Sequence, residues 1–119
     1  MLKKRILIAD DQMATREALT LLATKRGYDV VAVTNGLDLL KKSQNEKFDV
    51  LITDLIMPDL DGAAATEILK MGGSTMPVIA VTGLDEHDTR LVGSKFARIY
   101  HKPIKIGEML EYIDSLLAN

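Results

Sequence analysis

The sequence predicts an α/β protein: a three-layer α/β/α sandwich built on a five-stranded parallel sheet with five helices. Short apolar runs alternate with helix-patterned stretches from end to end. Runs such as Met76-Pro77-Val78-Ile79-Ala80-Val81 are continuously apolar, as a strand covered on both faces requires. At 119 residues the chain has the size of one domain. Parallel strands joined by helices cross over right-handedly and carry helices on both faces of the sheet.

The first strand is expected over 5–10. A helix over 13–26 follows, with Ala14, Ala18, Leu21, Leu22 and Lys25 on one side, and ends at Gly27, a residue suited to the left-handed conformation past a helix C-terminus. A strand over 28–33, a helix over 36–46 and a strand over 48–53 come next. Asp61 is placed to cap a helix over 62–71. A strand over 76–81, a helix over 85–95 and a strand over 97–101 lead to a last helix over 105–118. There Ile106, Met109, Leu110, Ile113, Leu116 and Leu117 repeat at helical spacing, so one stripe docks on the sheet. No linker, repeat, low-complexity tract or second domain is visible, and residues 1–119 are expected to form a single unit.

With 47% hydrophobic residues the chain can bury an ordinary core, and the absence of cysteine excludes disulfides, thiolate catalysis and Cys-based zinc sites. The apolar run after Lys3-Lys4-Arg5 stops at Ala9, too short for an export signal, and no run approaches the ~20 apolar residues of a membrane span. A cytoplasmic protein without membrane contact is expected. Fifteen basic and 17 acidic residues are interspersed, giving a net charge of −2 with no basic stripe. Three tyrosines, two phenylalanines and no tryptophan offer no stacking platform. Nucleic-acid binding by this domain is therefore not expected.

The chemistry is concentrated at strand ends. Asp10 and Asp11 close the first strand run and Asp54 closes the third, so in a parallel sheet three carboxylates converge at one edge. At ~4 Å and an effective dielectric of ~20, each like-charged pair costs about 4 kcal/mol. The cluster therefore calls for a divalent cation or a protonated member. Thr82 ends the fourth run and Lys102 the fifth, at the edge where open α/β sheets bind ligands. Three carboxylates, a hydroxyl and an ammonium suit Mg²⁺ beside a phosphoryl group. Asp59 and Asp61 are read as turn and capping residues, and His87 and His101 as partly exposed structural residues, with His101 facing away from the site.

Ala9-Asp10-Asp11, the segment from Asp54 through Met57-Pro58 to Asp61-Gly62, Val81-Thr82-Gly83 and His101-Lys102-Pro103 resemble, in order, the motifs of the receiver domain of two-component response regulators. The resemblance covers essentially the whole chain and implies a flavodoxin-like sheet of order 2-1-3-4-5. It makes Asp54 the phosphoacceptor, a nucleophile that takes a phosphoryl group from a phosphohistidine. It implies Mg²⁺ as cofactor, held by Asp11, Asp54 and the backbone carbonyl of Ile56, with Asp10 acting through metal-bound water. It further implies that Thr82 and Lys102 contact the phosphoryl group and that the Lys102–Pro103 peptide is cis. The partners implied are a sensor histidine kinase or histidine phosphotransfer protein upstream and an unidentified protein target downstream.

Two features depart from the family pattern, and Gly83, Ile56 and Leu84 bear on how a phosphoryl group would arrive and leave. Ile99 stands where an aromatic switch residue is usual, and Tyr100 points to the opposite face. Lys95-Phe96-Ala97-Arg98 replaces a Gly-Ala turn, so the fourth helix is expected to be short or irregular and the partner surface nonstandard. Gly83 leaves room for a phosphodonor. Ile56 and Leu84 are apolar and cannot orient water, which predicts slow self-dephosphorylation. The expected protein is a signalling module and not an enzyme acting on a separate substrate. It is read as standing alone because the chain ends just after the last helix, with a piece of a larger regulator or hybrid kinase as the alternative. The rivals are a Mg²⁺-dependent phosphohydrolase, which would place an Asp where Ile56 stands, and a receiver that is never phosphorylated.

Overall fold

Apolar runs buried on both sides become the strands of a single sheet. The computed structural model describes residues 2–85, 87, 88, 91 and 95–118. The strands are β1 (Arg5–Ala9), β2 (Asp29–Val33), β3 (Val50–Asp54), β4 (Val78–Thr82) and β5 (Arg98–His101). All pair in parallel, in the order β2-β1-β3-β4-β5. Between and after them lie α1 (Met13–Lys25), α2 (Gly36–Asn45), α3 (Gly62–Met71) and α4 (Ile106–Leu117). The described residues thus hold four helices where five were expected. The expected helix over 85–95 lies largely outside the described residues. Within that stretch, Asp88 N–H donates to the Asp85 carbonyl at 2.9 Å and Leu91 N–H to that of Asp88 at 3.0 Å.

Strand alternation sorts the core into two layers. Ile6, Ile8, Val50, Ile52, Ile79 and Val81 pack with Leu19 and Ala23 of α1 and Met109, Leu110 and Ile113 of α4. Leu7, Ala9, Leu51 and Val78 pack on the other face with Leu39 of α2 and Ala65 and Leu69 of α3. The α4 stripe is as expected, with Ile106, Leu116 and Leu117 packed at its margin. The buried side of α1 is not. Leu19 and Ala23 face the sheet, whereas Leu21 is 56% and Leu22 38% exposed. Apolar residues lie all round this helix, so its sequence carries no unique stripe and the sheet selects the face.

Local chemistry sets the element ends. Past α1, Gly27 has φ of 97°. Its N–H and that of Tyr28 bond back to the Thr24 and Ala23 carbonyls at 3.0 and 3.2 Å, closing the helix with a Schellman motif. The fourth strand begins after Pro77, which lacks an N–H to donate, although its carbonyl accepts Leu51 N–H at 3.0 Å. At the N-terminal edge of the sheet, Arg5 bonds Asp29 at 2.9 Å, Glu46 at 2.8 Å and the Lys47 carbonyl at 3.0 Å, and lies 4.5 Å from the Phe48 ring centroid. Among the described residues no helix is long and apolar enough to cross a membrane.

Candidate functional site

The C-terminal ends of the strands carry the polar residues that the core excludes. Asp10 directly follows β1 and is 1% exposed, while Asp54 is the last residue of β3 and 7% exposed. Asp11 beside them is exposed. One carboxylate oxygen from each of Asp10, Asp11 and Asp54 lies within 4.8 Å of the others. The three residues singled out from sequence do converge.

Asp10 shows how far this arrangement is from neutral comfort. Its Oδ1 accepts the Gln12 N–H at 2.8 Å. Its Oδ2 is buried and accepts no hydrogen bond, and Lys102 Nζ at 3.4 Å makes only an ion-pair contact. Burial pushes the Asp10 pKa up and the Asp54 charge adds to this, against the opposing pull of the Gln12 amide and Lys102. An orphaned buried oxygen among three clustered carboxylates fits a hard cation with oxygen ligands, such as Mg²⁺.

Lys102 follows β5 and reaches into the cluster. Its Nζ donates to Asp54 Oδ2 at 2.8 Å. Burial pulls its pKa down, but the hydrogen bond and charge of Asp54, together with Asp10, more than offset this and leave it raised. The Lys102–Pro103 peptide is cis. Ile56 is half-exposed, and its N–H donates to Asp54 Oδ1 at 3.2 Å. Thr82, fully buried at the end of β4, accepts the Leu84 N–H on its hydroxyl at 2.9 Å. In the sheet register Asp54 pairs with Val81, so Thr82 lies one step beyond it on the adjoining strand.

The neighbouring residues take the places their chemistry requires. Asp61 Oδ1 accepts the Ala64 N–H at 2.7 Å and caps α3. Asp59 occupies a turn with φ of 68°. Ile99 packs on the cluster of Leu55, Ala63 and Ala80, and Tyr100 packs on the opposite face of the sheet. His101 is exposed, but its Nδ1 lies 3.2 Å from the Leu84 carbonyl, so it leans over the loop that follows Thr82. Sequence reasoning missed Gln12, whose Oε1 accepts from Lys102 Nζ at 2.6 Å. Its one signal was its place beside Asp10-Asp11, and an uncharged side chain adds nothing to a charge pattern.

Known proteins share this arrangement. The family model described as the response regulator receiver domain matches residues 6–114. The chain is similar to protein PilH of Pseudomonas aeruginosa, 36% identical over 118 residues, covering 96% of this chain and 98% of PilH. It is similar to the response regulator MprA of Mycobacterium leprae, 31% identical over 115 residues, covering 95% of this chain but 50% of MprA, so the chain spans half of that relative. The response regulator TrrA of Thermotoga maritima, solved in complex with Mg²⁺ and BeF, superposes with a TM-score of 0.86 at 26% identity, covering 96% of this chain and 99% of that one. With strand order, acidic edge and sequence in agreement, the chain belongs to the response regulator receiver domain family.

Proposed function

We propose that Asp54 is the phosphoacceptor of this receiver, taking a phosphoryl group from a phosphohistidine of a sensor histidine kinase or a histidine phosphotransfer protein. The observation that carries this reading is the Asp54 carboxylate, nearly buried yet paired with Lys102 at 2.8 Å within the three-carboxylate cluster. An Asp54 oxygen attacks phosphorus as the phosphorus–nitrogen bond breaks, and the imidazole leaves with the bonding pair. Asp11, Asp54 and the Ile56 carbonyl are the residues to hold Mg²⁺, with Asp10 acting through bound water; bound there, the ion would neutralise phosphoryl oxygens.

The remaining work belongs to this chain's own groups. Lys102 exchanges the Asp54 carboxylate for a phosphoryl oxygen. The Thr82 hydroxyl, already accepting from Leu84, keeps its own proton to donate to the phosphate. Drawing Thr82 inward moves Leu84, which shares an apolar cluster with Ile99 and Phe96. Packing then takes the place of the aromatic switch usual in the family, and the changed surface alters binding of a downstream protein. The module works in the cytoplasm, over residues 1–119, and turns over no separate substrate.

Intact-mass spectrometry after incubation with acetyl phosphate, with and without Mg²⁺, tests the reading. A single Mg²⁺-dependent phosphate adduct that vanishes in Asp54→Asn is the expected result. An adduct that persists in that variant would overturn the assignment.

A further inference from the structure

Lys102 has a second acceptor that the family motifs do not include. Of the contacts its ammonium makes, the 2.6 Å bond to Gln12 Oε1 is shorter than the 2.8 Å bond to Asp54 Oδ2 and the 3.4 Å approach to Asp10 Oδ2. The amide orientation follows from chemistry, because an ammonium only donates and only the amide oxygen accepts. Gln12 is exposed, whereas the Asp10 and Asp54 side chains are 2% and 9% exposed and that of Lys102 20%. The ammonium is thus suspended between a buried anionic floor and a neutral acceptor at the open side. A neutral acceptor holds it there without adding a fourth negative charge.

The seat of Gln12 is fixed despite its exposure. Its N–H is held by Asp10 Oδ1 at 2.8 Å, and its carbonyl accepts the Arg16 N–H at 3.0 Å to start α1. Arg16 in turn donates from Nη1 to the Asp10 carbonyl at 3.1 Å.

We propose that Gln12 is a positioning residue for phosphoryl transfer, holding Lys102 toward the open side of the pocket so that its ammonium meets the incoming phosphoryl group. The proposal rests on the reading of Asp54 as acceptor. In the step itself the Asp54 oxygen–phosphorus bond forms while the donor's phosphorus–nitrogen bond breaks, and the departing nitrogen keeps the bonding pair and is protonated from solvent. Gln12 exchanges no atom or electron and acts through Lys102 alone.

A double-mutant cycle tests this. Adduct formation from phosphoramidate and Mg²⁺ is timed by intact mass in the wild type, Gln12→Ala, Lys102→Ala and the double variant, with thermal unfolding to show that each is folded. Gln12→Ala should slow the wild type about three- to tenfold and leave the Lys102→Ala rate nearly unchanged. Equal slowing in both backgrounds, or none in either, overturns the proposal. A wild type that forms no adduct defeats the acceptor reading instead, and the proposal falls with it. If Lys102→Ala reacts too slowly to time, the Lys102 side-chain NMR resonance of the unphosphorylated protein decides: it moves in Gln12→Ala if the tether exists and stays in place if it does not.

Discussion

The Gly62 backbone approaches Asp54 so closely that a β-carbon placed on Gly62 would fall 1.9 Å from the Asp54 carbonyl oxygen and 2.6 Å from Thr53 Oγ1. Gly62 N–H also donates to the Leu55 carbonyl at 3.0 Å, so α3 begins pressed against the end of β3. Gly62→Ala should therefore cost about 3 kcal/mol, the upper range for overpacking, and displace Asp54. Urea unfolding and the rate of adduct formation measure the two effects, and an unchanged unfolding midpoint would contradict this account.

Asp10→Asn should stabilise the fold while weakening Mg²⁺ binding. Burial raises the Asp10 pKa, so the fold disfavours its charged form. That contribution is most favourable below pH 3.8, the ordinary Asp value, and is lost as pH rises through the folded pKa. Without metal at neutral pH the amide should add about 1 kcal/mol of stability, a common exchange of function for stability. Thermal unfolding with and without Mg²⁺ should show the variant ahead in the first case and its lead narrowed in the second.

Tyr28 should titrate late. Burial, followed by the hydrogen bond from its hydroxyl to Asp114 Oδ1 at 2.5 Å, raises its pKa from 10.0 to about 12. The fold prefers the neutral phenol, so this contribution is complete below pH 10.0 and fades as pH rises toward about 12. Ultraviolet absorbance of the phenolate follows the titration. Asp114→Asn, which removes the charge, should bring the midpoint down, and a midpoint that stays put would assign the whole shift to burial.

Ile56→Asn should shorten the life of the phosphorylated form. Ile56 is half-exposed beside Asp54 and offers no polar side chain to orient water. An amide there should speed loss of the phosphate about tenfold, equivalent to about 1.4 kcal/mol of barrier. The decay of the mass adduct after donor removal reads this directly, with an unaltered half-life as the contrary result.

Strand identities, their parallel sense and the convergence of Asp10, Asp11 and Asp54 were legible because continuous apolar runs and strand-end carboxylates have few other uses. The opposed faces of Ile99 and Tyr100 followed from simple alternation. The buried face of α1 was not legible, since Leu21 and Leu22 compete with Leu19 in sequence and only the sheet decides among them. Strand ends shifted by a residue or two from the apolar runs. Asp49 lies just outside β3 while its carboxylate accepts the Arg5 N–H at 2.7 Å. Gln12 escaped notice because its role depends on a lysine ninety positions away.

Arg5 and Asp10 mark the two ends of β1, roughly 16 Å apart at the rise of an extended strand. At one end a guanidinium joins β2, the end of α2 and the segment entering β3 through well-matched partners. At the other, like charges crowd together with an oxygen left unsatisfied. Amide exchange should therefore be graded along single strands, slow near Arg5 and faster toward the carboxylates. The sheet is then clamped at one margin and free to breathe at the other, where a signal can reshape loops without unzipping the fold.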